Sequence, residues 1–237
     1  GLIGNETSGD LPIKNWKQGT WEGKSKKLTA EVFVDKYLKK KFFCGNCVIG
    51  CGKDIVINDE KFGKIEGAAP EYETVACLGS NTLVDDLEAV CKANDLCNRY
   101  GIDTISAGGI IGFAMECYEH GLLTKEDTDG LALEWGSPEA LITLTEKIAK
   151  KEGIGNLLSE GVKIAAETIG GLALEFAIET KGLEFPAHEP RVFNGTALSY
   201  ATSNRGACHL ADMNSRFYEK QLTMPEIGIN EPHGVFT

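Results

Sequence analysis

The sequence predicts a mainly α fold, a multihelical domain interrupted by one short β-hairpin. Leu83, Leu87, Val90, Cys91, Asn94 and Cys97 recur at helical spacing. A second apolar series, Ile110, Ile111, Phe113, Ala114, Met115 and Cys117, follows a glycine stop at Gly101. Ser137-Pro138-Glu139-Ala140 is a helix start, with a capping serine, proline at the first position and an acid in the first turn. Only residues 54–57 and 63–66, on either side of a polar turn at 58–62, read as paired strands.

Taken in order, residues 1–27 have no sustained period and form an irregular lead-in, with Leu11-Pro12 extended or in a turn. Trp16 and Trp21 pin this segment to a core. From Thr29 a helix carries Val32, Phe33, Tyr37 and Leu38 on one side, and Lys39, Lys40 and Lys41 suit the negative end of its dipole. After the hairpin, Gly67 to Val75 reads as a turn or extended segment, with Glu71 and Glu73 on one face and Tyr72 on the other. The long helix then runs from a cap near Asn81 or Thr82 to Tyr100, and the next from about Ser106 to Gly121. Gly108, Gly109 and Gly112 leave room on that helix for a neighbouring helix or for a ligand. A connector, 122–136, leads to the Ser137 helix, which stops at Gly153, and Asn156 opens another. Near Gly170-Gly171 the texture becomes irregular, and a last helix is expected at Ala197 to Thr202.

A formal net charge of -11 argues against a nucleic-acid partner, which calls for a lysine and arginine surface. No apolar run approaches the length of a membrane span. The eight cysteines do not form the pattern of a secreted disulfide framework, so a reducing cytoplasm is the expected compartment. The opening on Gly1 without methionine, and a tail from Asn230 to Thr237 that lacks a capping element, suggest a fragment.

The densest chemistry lies in Phe43 to Gly52. Cys44, Cys47 and Cys51 stand at C-x2-C-x3-C spacing among glycines, which brings several sulfurs to one tight loop. Soft thiolates of this kind suit an iron–sulfur cluster or zinc, while the plainer alternative is three buried cysteines. Two further runs are rich in polar and ligating groups: Pro186-Ala187-His188-Glu189-Pro190-Arg191 and Ser203-Asn204-Arg205-Gly206-Ala207-Cys208-His209.

With these motifs in this order, the sequence resembles the aldehyde:ferredoxin oxidoreductases, tungsten or molybdenum enzymes with a bis-pterin cofactor beside a 4Fe-4S cluster. Cys44, Cys47 and Cys51 match three of the four cluster cysteines. Asn98-Arg99-Tyr100-Gly101-Ile102-Asp103 resembles the first of two pterin-binding D-x-x-G-L-(C/D) motifs, with Asn98 for the leading aspartate and Ile102 for leucine, and Thr104 also matches. Glu73, after Tyr72, matches the family's active-site glutamate, and His209 its active-site histidine. The resemblance implies that residues 1–179 form the helical middle domain and 180–237 the start of a C-terminal helical domain. It further implies that a pterin-cradling sheet domain precedes Gly1, and that the second pterin motif and fourth cysteine follow Thr237.

The implied activity is oxidation of aldehydes to carboxylic acids, with electrons leaving through the cluster to ferredoxin, in an enzyme that can be a homo-oligomer. Glu73 would act as a base, its pKa raised toward neutrality by a dry pocket, and His209 would hydrogen-bond the carbonyl oxygen. His188, Glu189 and Arg191 would line the substrate entrance, or Arg191 would simply pair with an acid such as Glu189. Cys77 and Cys208 are possible substitutes for the fourth cluster cysteine. Two other readings stay open: a related tungsten or molybdenum enzyme acting on another substrate such as an aromatic thioester, and a zinc-stabilised helical interaction domain without catalysis.

Overall fold

The computed structural model describes residues 1–211, 219, 223, 225–228, 230 and 231; residues 232–237 of the tail lie outside the described residues. The chain opens with α1 (Leu2–Thr7), a 3-10 turn at Lys24–Leu28 and α2 (Ala30–Tyr37). Both tryptophans of the lead-in are buried, as expected. The helix expected to continue through the lysines ends at Tyr37, and Leu38–Phe42 is instead a strand, β1. β1 pairs antiparallel with β2 (Gly52–Asp59), and the lysines meet acids across the sheet: Lys40 with Asp54 and Lys39 with Glu66. Cross-strand charge pairing thus overrides a signal that suits a helix end equally well.

β2 and β3 (Gly63–Ala68) form the expected hairpin, with Val56 opposite Glu66 and Ile57 opposite Ile65. The segment after it departs from expectation. Tyr72–Leu78 is a helix, α3, in which Val75, Ala76, Cys77 and Leu78 are all buried. A short helix apolar on every side takes its stability from the core around it, which local propensity does not reveal. A 3-10 turn at Ser80–Thr82 follows, and α4 (Leu87–Tyr100) starts later than expected, capped by the Asp86 side chain on the Ala89 N–H. Gly101 closes it in the left-handed conformation, at φ 70°.

The central element is α5 (Thr104–Glu119), which packs against α3, α4, α6 (Pro138–Lys150), α7 (Ile154–Leu158), α8 (Val162–Ile169) and α9 (Ala173–Phe176). α6 begins as expected, with the Ser137 hydroxyl accepting from the Ala140 N–H. The helix expected from Asn156 is two, α7 and α8, separated at Gly161, where φ is 87°. A small hairpin, β4 (Glu179–Thr180) and β5 (Leu183–Glu184), α10 (Asn194–Thr202) and a 3-10 turn at Pro225–Ile227 follow among the described residues. No helix among the described residues is long and apolar enough to cross a membrane.

Two glycines of α5, Gly108 and Gly112, admit close packing by the α3 segment and the 3-10 turn after it, while Gly109 faces the Glu184 side chain of β5. A Cβ on Gly108 would lie 2.4 Å from the carbonyl carbon and oxygen of Cys77, and one on Gly112 would lie 2.7 Å from Asn81 Nδ2. α3 therefore crosses α5 with backbone against backbone. Gly108→Ala is expected to destabilise the chain by about 2–3 kcal/mol, the usual scale of core overpacking. Gly4→Ala, whose Cβ meets nothing within 4 Å, serves as the control and is expected to change stability by no more than about 1 kcal/mol. Urea denaturation of the two variants measures both.

Candidate active site

The close crossing of α3 over α5 sets the position of Glu73, the second residue of α3. Glu73 is half-buried, and each carboxylate oxygen has a partner. Oε2 accepts from the Ala187 N–H at 2.6 Å; Oε1 lies 3.1 Å from His188 Nε2 and 3.5 Å from His209 Nε2. Tyr72 donates its hydroxyl to the Ala187 carbonyl at 2.7 Å and stacks on His188, with ring centroids 5.3 Å apart. Two histidines 21 positions apart in the chain thus converge on one carboxylate.

On its far side His188 meets a residue that sequence reasoning passed over. Nδ1 is 3.0 Å from Asp10 Oδ2, and Asp10 Oδ1 accepts from the Glu189 N–H at 2.9 Å. Asp10 and His188 are both buried. Nothing in Gly9-Asp10-Leu11-Pro12 marks the aspartate, because its partner stands 178 positions away. Tyr200, on α10, braces the loop by donating its hydroxyl to the carbonyl of His188.

The electrostatics follow from this geometry. Burial acts to raise the Glu73 pKa, but hydrogen bonding and charge from His188, the charge of His209 and the Ala187 N–H outweigh it, so the carboxyl is held below its usual value of 4.5. This corrects the expectation that a dry pocket raises it toward neutrality. Burial acts to lower the His188 pKa, and the bonds and charges of Asp10 and Glu73 prevail, raising it above 6.5. In the loop, Arg191 holds the Glu189 carboxylate through Nε and Nη2, the pairing that the second alternative expects, and also donates to the Trp16 carbonyl.

Asn98, Ile102, Asp103 and Thr104 form the corner between α4 and α5, where Asn98 and Asp103 are exposed. This corner adjoins α3 through a hydrogen bond of 2.8 Å between the hydroxyls of Thr74 and Thr104. Asp103 also caps α5, its Oδ2 accepting from the N–H and hydroxyl of Ser106. The exposed amide and carboxylate at this corner have the donor and acceptor chemistry that the hydrogen-bonding edge of a pterin calls for.

The cysteine loop joins β1 to β2. Cys44 and Cys51 are exposed and Cys47 is half-buried. The expected convergence of sulfurs is not observed: no group of three or more His, Cys, Asp or Glu side chains among the described residues stands close enough to hold a metal ion. The backbone turns at Asn46 (φ 61°) and again at Gly50 (φ 60°), which leaves Val48 and Ile49 at the tip, 91% and 77% exposed. The donor chemistry fits a thiophilic metal or cluster, but the arrangement of the thiols does not. Cys77 and Cys208 are buried elsewhere, Cys77 beneath Gly108.

A family model described as "Aldehyde ferredoxin oxidoreductase, domains 2 & 3" matches residues 2–236. The chain is 41% identical over 204 residues to the tungsten-containing aldehyde ferredoxin oxidoreductase of Pyrococcus furiosus, and 40% identical to that of Thermococcus kodakarensis. Each match covers 86% of this chain and 33% of the relative, so the chain spans about a third of the length of these relatives. An aliphatic sulfonate oxidoreductase, WOR-like subunit, of Pyrococcus furiosus is 32% identical, over 87% of this chain and 34% of that protein. Among solved structures, the active-site complex BamBC of benzoyl coenzyme A reductase with 1,5-dienoyl-CoA matches with a TM-score of 0.66 at 25% identity, over 84% of this chain and 30% of that one.

The opposed shifts of Glu73 and His188 set a pH window. Stability from His188 is fully present below 6.5 and is lost as pH rises through its higher folded value. That from Glu73 is present above 4.5 and is lost as pH falls through its lower folded value. Urea midpoints are therefore expected to decline on both sides of the interval from 4.5 to 6.5, and His188→Gln is expected to flatten the alkaline decline.

Proposed function

The chain belongs to the aldehyde ferredoxin oxidoreductase family, and from that premise we propose that it forms the helical part of a tungsten–pterin oxidoreductase that converts aldehydes to carboxylic acids and delivers electrons to ferredoxin. One observation carries the reading: a carboxylate clasped by two imidazoles stands directly beside the helix corner suited to a pterin. The tungsten-containing names of the Pyrococcus furiosus and Thermococcus kodakarensis relatives support the metal.

The bound tungsten–pterin group supplies the two-electron redox chemistry. Asn98, Asp103 and Thr104 offer it hydrogen bonds, and Ile102 an apolar edge. In becoming the acid, an aldehyde hydrate gives up its C–H hydrogen and one O–H hydrogen as two protons, together with two electrons that the bound group would accept. Glu73, ionised at neutral pH, accepts the O–H proton at Oε1. His209, whose Nε2 lies 3.5 Å from Glu73 Oε1 in the free chain, turns its hydrogen bond to the substrate oxygen that is the carbonyl of the aldehyde and of the product acid. Cys44, Cys47 and Cys51 are proposed ligands of a 4Fe-4S cluster, supported by donor type and spacing. Their thiols do not converge here, and the proton chemistry at Glu73 does not depend on them. The two units proposed, residues 1–179 and 180–237, meet through bonds such as His188 to Glu73 and Glu184 to Ser106.

A second substrate class, acyl thioesters or other non-aldehydes, is favoured by the benzoyl coenzyme A reductase and sulfonate oxidoreductase matches, both of lower identity than the aldehyde enzymes.

In the cofactor-loaded enzyme Glu73→Gln is expected to lower aldehyde turnover at least about 100-fold, on the scale of lost base catalysis, while tungsten and pterin contents hold. Turnover above that level overturns the base role. Asp103→Asn keeps a competent helix cap and is expected to lower bound pterin without changing the melting temperature. Pterin fluorescence after cofactor release reads this directly, and unchanged occupancy would leave Asp103 as a cap only.

A further inference from the structure

We propose that Asp10 is a positioning residue for this site: its buried carboxylate, anchored by the Glu189 N–H, accepts from Nδ1 of His188 and thereby presents Nε2 of the same ring to Glu73 as a donor. The inference rests on the reading of Glu73 as proton acceptor and adds what controls that acceptor.

The geometry is 2.9 Å from the Glu189 nitrogen to Asp10 Oδ1, 3.0 Å from Asp10 Oδ2 to His188 Nδ1, and 3.1 Å from His188 Nε2 to Glu73 Oε1. An ionised carboxylate only accepts, so Asp10 requires a proton on Nδ1. Ionised Glu73 likewise requires one on Nε2, and the ring is then a cation held between two anions. The other groups facing the ring are Tyr72, stacked on it, His209, with ring centroids 5.8 Å apart, and Tyr200, whose hydroxyl bonds the His188 carbonyl. The adjacent Glu189 carboxylate is engaged by Arg191. Asp10 is thus the anion that holds the imidazolium on the side away from the reaction. When Glu73 takes a proton, the bond from Nδ1 to Asp10 keeps the ring in place. Removing the Asp10 charge makes His188 less basic and takes a cation from beside Glu73, which makes Glu73 more basic.

Nitrogen-15 NMR of the histidine rings in the 237-residue chain tests the first step. Near pH 6 both ring nitrogens of His188 are expected to carry protons. In Asp10→Asn, which keeps an acceptor for the Glu189 N–H, the His188 midpoint is expected to fall by about one unit or more. In the cofactor-loaded enzyme the acidic limb of the kcat/KM profile is expected to rise by a similar amount, a readout that a purely structural role leaves in place. An unprotonated Nδ1 in the wild-type chain overturns the proposal, and this measurement decides the matter even if the variant does not fold. A shifted His188 midpoint with an unmoved acidic limb also overturns it, while leaving the reading of Glu73 intact. Retained turnover in Glu73→Gln overturns the functional reading instead, and the NMR result then judges the Asp10–His188 pair independently.

Discussion

The backbone of Cys77 lies where a side chain on Gly108 would have to sit, and that contact is the constraint on which the site depends. It lets α3 lie against α5 more closely than any residue with a Cβ allows. The start of α3 carries Glu73, and the start of α5 carries Thr104 and Asp103. Close crossing therefore holds the Glu73 carboxylate and the helix corner in one fixed relation, locked by the hydrogen bond between Thr74 and Thr104. A rigid scaffold of this kind is what positions reacting groups without further cost at the moment of reaction.

Charge burial is the second organising feature. Asp10, His188 and Glu73 form a row of alternating charge in which each carboxylate also accepts from a backbone N–H of the 186–191 loop. An unpaired charge in such a place is costly, and removing one member of a buried pair exposes the other to that cost. The loop and the lead-in around Asp10 are consequently tied to the helical core by the same bonds that tune Glu73. Arg191 strengthens the tie by bridging Glu189 to the Trp16 carbonyl.

Features set by nearest neighbours were legible in the sequence. Ser137 and Pro138 start α6, Gly101 ends α4, and the alternation of Ile55 and Ile57 marks β2, because each requires only its own few residues. Features set by distant partners were not. Lys39, Lys40 and Lys41 fit a helix end as well as a strand, and the acids across the sheet decide between them. α3 needed its apolar run, Val75 to Leu78, to be read as a buried helix, a signal that was present but short. Glu73 and His209 were legible only through family resemblance, and Asp10 not at all. The direction of the Glu73 pKa depended on two histidines whose approach only the fold reveals.

On the reading proposed above, this scaffold serves a tungsten–pterin redox enzyme, and Cys44, Cys47 and Cys51 are offered as cluster ligands on donor type and spacing alone. Elemental analysis by plasma mass spectrometry, on protein purified without oxygen and in its natural host, tests that most directly. Tungsten retained together with iron and acid-labile sulfide in the same protein is the expected result. Zinc alone, with neither tungsten nor iron, would contradict it and return the cysteine loop to a structural role.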